Sequence, residues 1–206
     1  MKNTFILSIP AVLFGILIFQ NYKSESFKLN EKDISIEVLF SPEDDIKSKL
    51  INLIDNEKES IFCAAFRLTE KSIAMALLNA LLRGVKIIII VDSEGFSGMF
   101  SKVIYLFKEG IPIYVFPPIN KNDLDDERKE KPLSSRNALM HNKFFLFKSQ
   151  DIVFTGSYNY TRAAEEINQE NVLIIKSKNI YNSYKDYFSK LSEKSTILKA
   201  LELKHR

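Results

Sequence analysis

The chain has 206 residues, is 46% hydrophobic and carries a formal net charge of +3. This length favours one compact domain with a single core, and so small a charge does not choose between nucleic acid and anionic lipid as a partner. The single cysteine, Cys63, lies in an apolar run that predicts a buried, inert thiol. With one cysteine, the chain can form neither an internal disulfide nor a zinc site made of several thiolates.

The amino-terminal segment is set apart by its composition. Residues 4–20 are almost wholly apolar and follow Lys2, so residues 1–23 are predicted to form a secretion signal or a membrane anchor. Ser24-Glu25-Ser26 is a poor cleavage site, which favours the anchor slightly. Either interpretation places the protein at a membrane or exports it to the periplasm or the exterior. Residues 24–33 are predicted to be a linker, and residues 34–206 the folded domain.

The rest of the chain alternates strand and helix patterns. A strand over 34–40 is followed by Ser41 as a helix cap and Pro42 in the first turn. The further predicted strands span 60–66, 87–91, 111–116, 142–147, 152–154 and 171–175, and the further helices span 69–83, 98–109, 160–166 and the carboxyl terminus. This order predicts an α/β fold with a mixed, largely parallel sheet and helices on both faces.

Residues 119–137 have no periodicity and a dense mixture of charges, which predicts an exposed loop. A long loop at this place either lines the substrate entrance or is simply a solvated run of charges.

Two histidines occur, which excludes a site that needs several imidazoles from one chain. His205 lies in a charged tail and is predicted to be solvated. His141 and Lys143 are two residues apart at the start of a strand, so an imidazole and a cation face the same side and can converge on one phosphate. A hairpin would bring Ser157 and Asn159, which follow the next strand, beside them.

The whole string of residues is more specific than the pair. His141-Asn142-Lys143, Gly156-Ser157-Tyr158-Asn159 and Glu170-Asn171 resemble the signature of the phospholipase D superfamily. Ala64-Ala65-Phe66 and Arg83-Gly84-Val85 resemble the small bacterial Nuc-type endonucleases of that superfamily. The resemblance covers residues 36–175 and implies a phospholipase D-like sandwich fold and a metal-independent phosphodiesterase without a cofactor.

The resemblance also implies a role for each site residue. His141 would attack phosphorus to form a phosphohistidine, and a second histidine would protonate the leaving oxygen. Lys143, Ser157 and Asn159 would bind the phosphoryl oxygens, while Glu170 would orient the histidine. Because the motif occurs once, the resemblance implies a two-fold homodimer in which two His141 residues face each other.

One position departs from the family pattern. The family usually has an aspartate five residues after the lysine, where this chain has Lys148, and Asp151 in the following turn is a candidate substitute. Three functions stay open. The Nuc-like span favours a nuclease acting on DNA or RNA, the apolar amino terminus favours a phospholipid hydrolase at a membrane surface, and Lys148 is the one argument for a non-catalytic phosphate-binding module.

Overall fold

The structure, a computed structural model, describes residues 34–98, 100–117 and 138–198. The described strands are β1 (Ser35–Ser41), β2 (Ser60–Ala65), β3 (Lys86–Asp92), β4 (Ile113–Phe116), β5 (Lys143–Phe147), β6 (Ile152–Gly156), β7 (Glu170–Lys176) and β8 (Thr196–Ile197). The described helices are α1 (Ile46–Asn56), α2 (Lys71–Leu82), α3 (Ser93–Ser97), α4 (Val103–Lys108), α5 (Arg162–Glu166) and α6 (Lys178–Glu193). The predicted anchor, linker and charged loop lie outside the described residues.

The described strands form one eight-stranded mixed sheet in the order β1-β7-β6-β5-β2-β3-β4-β8. This confirms the predicted α/β class, but the expectation that the sheet is largely parallel is wrong. Only β2–β3 and β3–β4 are parallel among the described pairs, and the other neighbours are antiparallel. A short turn that reverses the chain explains the antiparallel pair β5–β6, whereas β1–β7, β2–β5 and β4–β8 pair segments that are distant along the chain, whose relative direction the pattern of single elements does not contain.

Alternating side chains of the central strands build two cores, one on each face of the sheet. Cys63 and Phe145 point to the face covered by α1, α2 and α4. Their neighbours Ala64 and Phe144 point to the opposite face, against α6. The predicted burial of Cys63 is confirmed, and burial raises the pKa of its thiol. The helices therefore cover both faces, as predicted.

Two local predictions about helices are corrected. Ser41 does not cap a helix: it ends β1, and its buried hydroxyl donates to the carbonyl oxygen of Ala164 at 2.6 Å. Asp45 caps α1 instead by accepting a hydrogen bond from the Ser48 amide at 3.0 Å. The helix predicted over 98–109 is shorter, since α4 begins only at Val103, and the unpredicted helix α3, which Asp92 caps, precedes it and ends before Gly98. The short strand β8 was not predicted.

Strand β1 lies at one edge of the described sheet and carries an exposed apolar stripe. Ile36, Val38 and Phe40 are 54%, 50% and 52% exposed. They share the face of α6, because Ile36 pairs with Ile175 and Val38 pairs with Leu173, whose side chains belong to the core on that face. No helix among the described residues is long and apolar enough to cross a membrane.

Candidate active site

The predicted hairpin brings the two halves of the motif to one end of the sheet. Strands β5 and β6 are antiparallel, with Phe144 opposite Thr155. The start of β5, with His141 and Lys143, therefore lies beside the end of β6, where Gly156 and Ser157 follow. Lys143 lies in β5, and His141 and Ser157 lie next to a strand end, where the main chain is more rigid than in a free loop.

His141 has an exposed side chain on an anchored main chain. Its ring contacts the ring of Phe66, with 4.6 Å between the centroids. The ammonium of Lys143 donates to the carbonyl oxygen of His141 at 2.7 Å and lies 4.9 Å from the centre of the Phe66 ring. Lys143 thus holds the main chain of His141 and Phe66 contacts its ring, while the imidazole stays exposed to a ligand.

Lys143 is a cation that is largely removed from water, with 5% of the residue exposed. Desolvation lowers the pKa of Lys143, although the carboxylates of Glu170 and Asp92 oppose the shift. A charge in a poorly solvated place interacts more strongly with an incoming anion than the same charge in water. Lys143 is therefore well placed to bind a phosphoryl oxygen.

Ser157 and Glu170 form a second polar group at this end of the sheet. A side chain at Gly156 would meet the carbonyl oxygen of Asn171 at 1.9 Å, so only glycine allows β6 to approach β7 so closely here. Ser157 donates to Glu170 at 2.5 Å and accepts from the amide of Asn171 at 3.1 Å. The other carboxylate oxygen of Glu170 accepts from Asn168 at 3.0 Å.

Glu170 is near the other site residues, but its hydrogen bonds within the described chain go to Ser157 and Asn168. No hydrogen bond joins it to His141 among the described residues. That Glu170 orients a histidine stays a prediction.

Asn159 follows in the turn after β6. Its side-chain oxygen is buried and has no hydrogen-bond partner within the described chain. Main-chain bonds hold this turn: the amide of Tyr160 donates to the carbonyl oxygen of Arg67 at 3.1 Å, and Thr161 donates to that of Asn159 at 2.8 Å. A buried amide oxygen without a protein partner is unusual and can accept a hydrogen bond from a ligand, whereas a phosphoryl oxygen would be bound by the amide nitrogen of the same side chain.

The sequence around these residues matches a known family. A family model described as cardiolipin synthase, PLD-like domain, matches residues 50–192, a span that contains the whole site. The chain belongs to this phospholipase D-like family.

Individual proteins of known name are also similar to this chain. The chain is 31% identical to a phospholipase D of Rickettsia conorii over 149 residues, which are 72% of this chain and 65% of that protein. It is 26% identical to a phospholipase D of Rickettsia typhi over 216 residues, covering 94% of this chain and 97% of that protein. The crystal structure of Nuc, a phospholipase D family member from Salmonella typhimurium, superposes with a TM-score of 0.66 and 26% identity, over 81% of this chain and 99% of Nuc. The predicted superfamily, its fold and the phosphodiesterase class are confirmed.

The motif departure at Lys148 lies away from the site of this phospholipase D-like chain. Residue 148 follows the far end of β5, where its ammonium pairs with Asp151 at 3.6 Å. The carboxylate that holds this turn is Glu57, which accepts from the amides of Glu59 and Ser149 at 2.8 and 2.9 Å. Burial opposes ionisation of Glu57, but these hydrogen bonds outweigh it and lower its pKa. Lys148 therefore removes no group from the surroundings of His141.

Asp92, which was not predicted, is the residue at this end of the sheet that sequence reasoning missed. It is 0% exposed and follows the apolar run of β3. Its position at the carboxyl end of a parallel strand is the signal that could have found it, since functional residues gather there in α/β folds. Among the described residues, no group of three or more His, Cys, Asp or Glu side chains is placed to hold a metal ion.

Proposed function

We propose that this chain hydrolyses nucleic-acid phosphodiester bonds through a phosphohistidine formed on His141. The observation that carries the proposal is that the exposed imidazole of His141 and the desolvated ammonium of Lys143 both lie against the ring of Phe66, at 4.6 and 4.9 Å from its centre. A nucleophile that a substrate can reach, next to a cation that cannot be fully hydrated, suits attack on a phosphate diester.

The reaction divides into two displacements. In the first, a ring nitrogen of His141 bonds to phosphorus, the bond from phosphorus to the leaving oxygen breaks, and that oxygen takes a proton from a second histidine. In the second, the same histidine removes a proton from water, the water oxygen bonds to phosphorus, and the bond to His141 breaks. Lys143 and Asn159 stabilise the charge on the phosphoryl oxygens in both steps, and Ser157 adds a hydroxyl.

The second histidine is proposed to be His141 of the partner subunit. His141 is the one histidine in the described residues. Exposed apolar side chains next to it suit a subunit interface: Leu139 is 48% exposed, and Tyr187, which accepts a hydrogen bond from Asn142 at 3.0 Å, is 46% exposed. A two-fold axis through this surface would bring two imidazoles to one phosphate.

A nucleic acid is the favoured substrate because of the cation beside the nucleophile. Arg67 is exposed, and its guanidinium lies 5.4 Å from the centre of the Phe66 ring, which itself contacts His141. An arginine at this position can bind a phosphate next to the one that is cleaved, as a polymeric substrate offers and a single phosphodiester does not. The resemblance of the motif to the Nuc-type endonucleases and the similarity of the fold to Nuc agree with this choice.

A phospholipid is the second candidate, and the exposed stripe of Ile36, Val38 and Phe40 favours it. An apolar surface of this kind, together with a membrane anchor in residues 1–23, would hold the site near a bilayer. The relatives named phospholipase D agree with this candidate. The phosphate-binding module loses its one argument, because Lys148 lies at the other end of β5.

The test uses the full-length protein in excess chelator with labelled single-stranded DNA, RNA and phospholipid vesicles. We expect cleavage of a nucleic acid, a phosphorylated residue 141 in rapidly quenched reactions, and a fall in rate of roughly a thousandfold or more in His141→Ala. His205→Ala, which changes the other histidine, is the matched control and keeps full activity. Cleavage of vesicles alone would favour the lipid candidate, and wild-type activity in His141→Ala would refute the mechanism.

A further inference from the structure

Asp92 joins the end of a central strand to the residue before the proposed nucleophile. One carboxylate oxygen accepts a hydrogen bond from the main-chain amide of Met140 at 2.7 Å. The other accepts from the amide of Glu94 at 2.9 Å, so Asp92 also caps α3. Both oxygens are therefore directed at main-chain donors, and the residue is 0% exposed. A charged acceptor in a buried place makes a stronger hydrogen bond than a neutral one.

The turn from Asp92 to Gly95 also contacts Phe66, whose ring lies against His141. Gly95, in α3, is buried, and a side chain there would meet the carbonyl oxygen of Phe66 at 1.8 Å. The turn from Asp92 to Gly95 therefore packs directly on the main chain of Phe66, whose ring contacts the imidazole of His141. Met140 and Phe66, two of the residues that hold His141 in place, both contact this turn.

The side chain of Met140 is itself 1% exposed and packs in the core on the α6 face, which also contains Ile90 of β3. Packing and the bond to Asp92 thus fix residue 140 from two directions. The main chain enters β5 only at Lys143, so no strand pairing holds His141 directly. Its placement depends on what holds residue 140 before it and residue 143 after it.

We propose that Asp92 is a positioning residue, whose carboxylate fixes the main chain at Met140 and thereby sets where the imidazole of His141 stands. The inference rests on the proposed role of His141 as nucleophile. Burial raises the pKa of Asp92, while its bonds to the two amides and the nearby His141 favour the ionised form. A nucleophile displaced by about 1 Å loses on the order of a hundredfold in rate, so this anchor acts on the chemical step more than on substrate binding.

Asp92→Asn removes one acceptor with almost no change in shape. Glu57→Gln is the matched control, because Glu57 is also a buried carboxylate, 1% exposed, that accepts from main-chain amides, but at the far end of β5. Three quantities are measured on the full-length proteins: kcat and KM with bis(4-nitrophenyl) phosphate, the thermal midpoint, and hydrogen exchange of the Met140 amide.

We expect Asp92→Asn to lower kcat by about 10- to 100-fold with KM changed by less than about threefold, and to speed exchange of the Met140 amide. Glu57→Gln should lower the thermal midpoint and leave both kcat and the exchange of Met140 as in the wild type. Wild-type kcat in folded Asp92→Asn would overturn the proposal, and so would an equal loss of kcat in Glu57→Gln. If Asp92→Asn does not fold, Asp92→Glu decides the same question, since it keeps the charge but moves the carboxylate.

Failure of the proposed function gives a different result. A wild-type protein that cleaves neither this diester nor a nucleic acid would refute the nucleophile, whereas the exchange of the Met140 amide would still show whether Asp92 holds residue 140. Unchanged exchange in Asp92→Asn would refute the anchor even if the wild type is fully active.

Discussion

Burial of the Lys143 ammonium strengthens its attraction for an anion, and the same burial destabilises the fold. Its ammonium is buried beside Phe66 and has one hydrogen bond within the described chain, to the carbonyl oxygen of His141. Desolvation lowers its pKa, which means that the folded protein disfavours the charged form relative to water. Desolvated cations with a lowered pKa are common at sites that bind an anion.

Lys143→Met is expected to abolish phosphodiester cleavage and to raise the thermal midpoint at pH 7. The pKa of Lys143 is lowered from 10.5, so the unfolded chain binds more protons than the folded one as the pH approaches that value, and the wild type gains stability there. The difference between variant and wild type should therefore shrink as the pH rises towards 10.5. Calorimetry across this range measures it, with Lys143→Arg as the control that keeps the charge. A methionine variant that is less stable at every pH would show that the bond to His141 outweighs the cost of burial.

Restoring the usual family aspartate at position 148 is expected not to improve catalysis. Lys148 pairs with Asp151 at 3.6 Å, and Glu57 already supplies the carboxylate that holds the turn. Lys148→Asp would replace an attraction by a repulsion, which costs about 1 kcal/mol at a partly exposed place. We expect a thermal midpoint lower by about 2–4 °C and an unchanged kcat. Lys148→Gln is the control, with a smaller loss. A clear rise in kcat would mean that the turn acts on His141.

At the scale of elements, the contact between β6 and β7 determines how closely Ser157 approaches Glu170. The two strands are paired from Ile152 to Gly156, and the missing side chain of Gly156 lets the main chain of Asn171 lie against it. Ser157 then reaches Glu170 at 2.5 Å. A single glycine thus sets the geometry of two proposed site residues.

Gly156→Ala is expected to lower both stability and activity. The new methyl group would meet the carbonyl oxygen of Asn171 at 1.9 Å, so the strands must separate. Overpacking of this kind costs about 1–3 kcal/mol. Gly98→Ala is the control, since a side chain there would make an ordinary contact at 3.6 Å with the carbonyl oxygen of Glu94. Thermal melting and kcat measure both variants, and an alanine at 156 with wild-type values would contradict the close approach of the strands.

At the scale of the whole molecule, the proposed mechanism requires that a second subunit adds a histidine to the site. Leu139 is 48% exposed and lies two residues before His141, and we propose that it belongs to the interface that joins two sites. Leu82 is 85% exposed at the end of α2, at the opposite end of the sheet from His141. The same substitution can therefore be made at the proposed interface, at Leu139, and away from it, at Leu82, as a control.

Leu139→Arg is expected to convert the proposed dimer to monomers and to reduce activity in proportion to the monomer fraction. Two arginines that meet across a two-fold axis repel each other and lose hydration. Leu82→Arg should keep both the dimer and the activity. Sedimentation and the dependence of specific activity on protein concentration measure the effect. An active wild-type monomer would refute the requirement for a second subunit.

The sequence predicted features that depend on residues close together in the chain better than contacts between residues far apart in it. The spacing of His141 and Lys143 and the apolar runs of the strands are local, and they predicted the motif and most elements. Asp92 and Glu57 were not predicted, because they bind amides that are 48 and 92 residues away along the chain. The direction of each strand pair also depends on how the connections close, which the pattern of single elements does not contain. Helix α3 was not predicted, because its side-chain cap, Asp92, follows directly on an apolar strand.

The edge position of β1 has a consequence for how the chain folds. Its partner, β7, ends at Lys176, so the first strand of the domain can pair only when almost the whole domain has been synthesised. Pairing between such distant segments is slow, and until it occurs Ile36, Val38 and Phe40 belong to an unpaired apolar segment that can associate with other chains. A chain that ends before β7 would keep that segment unpaired, so shortened forms of this protein should aggregate through their first strand.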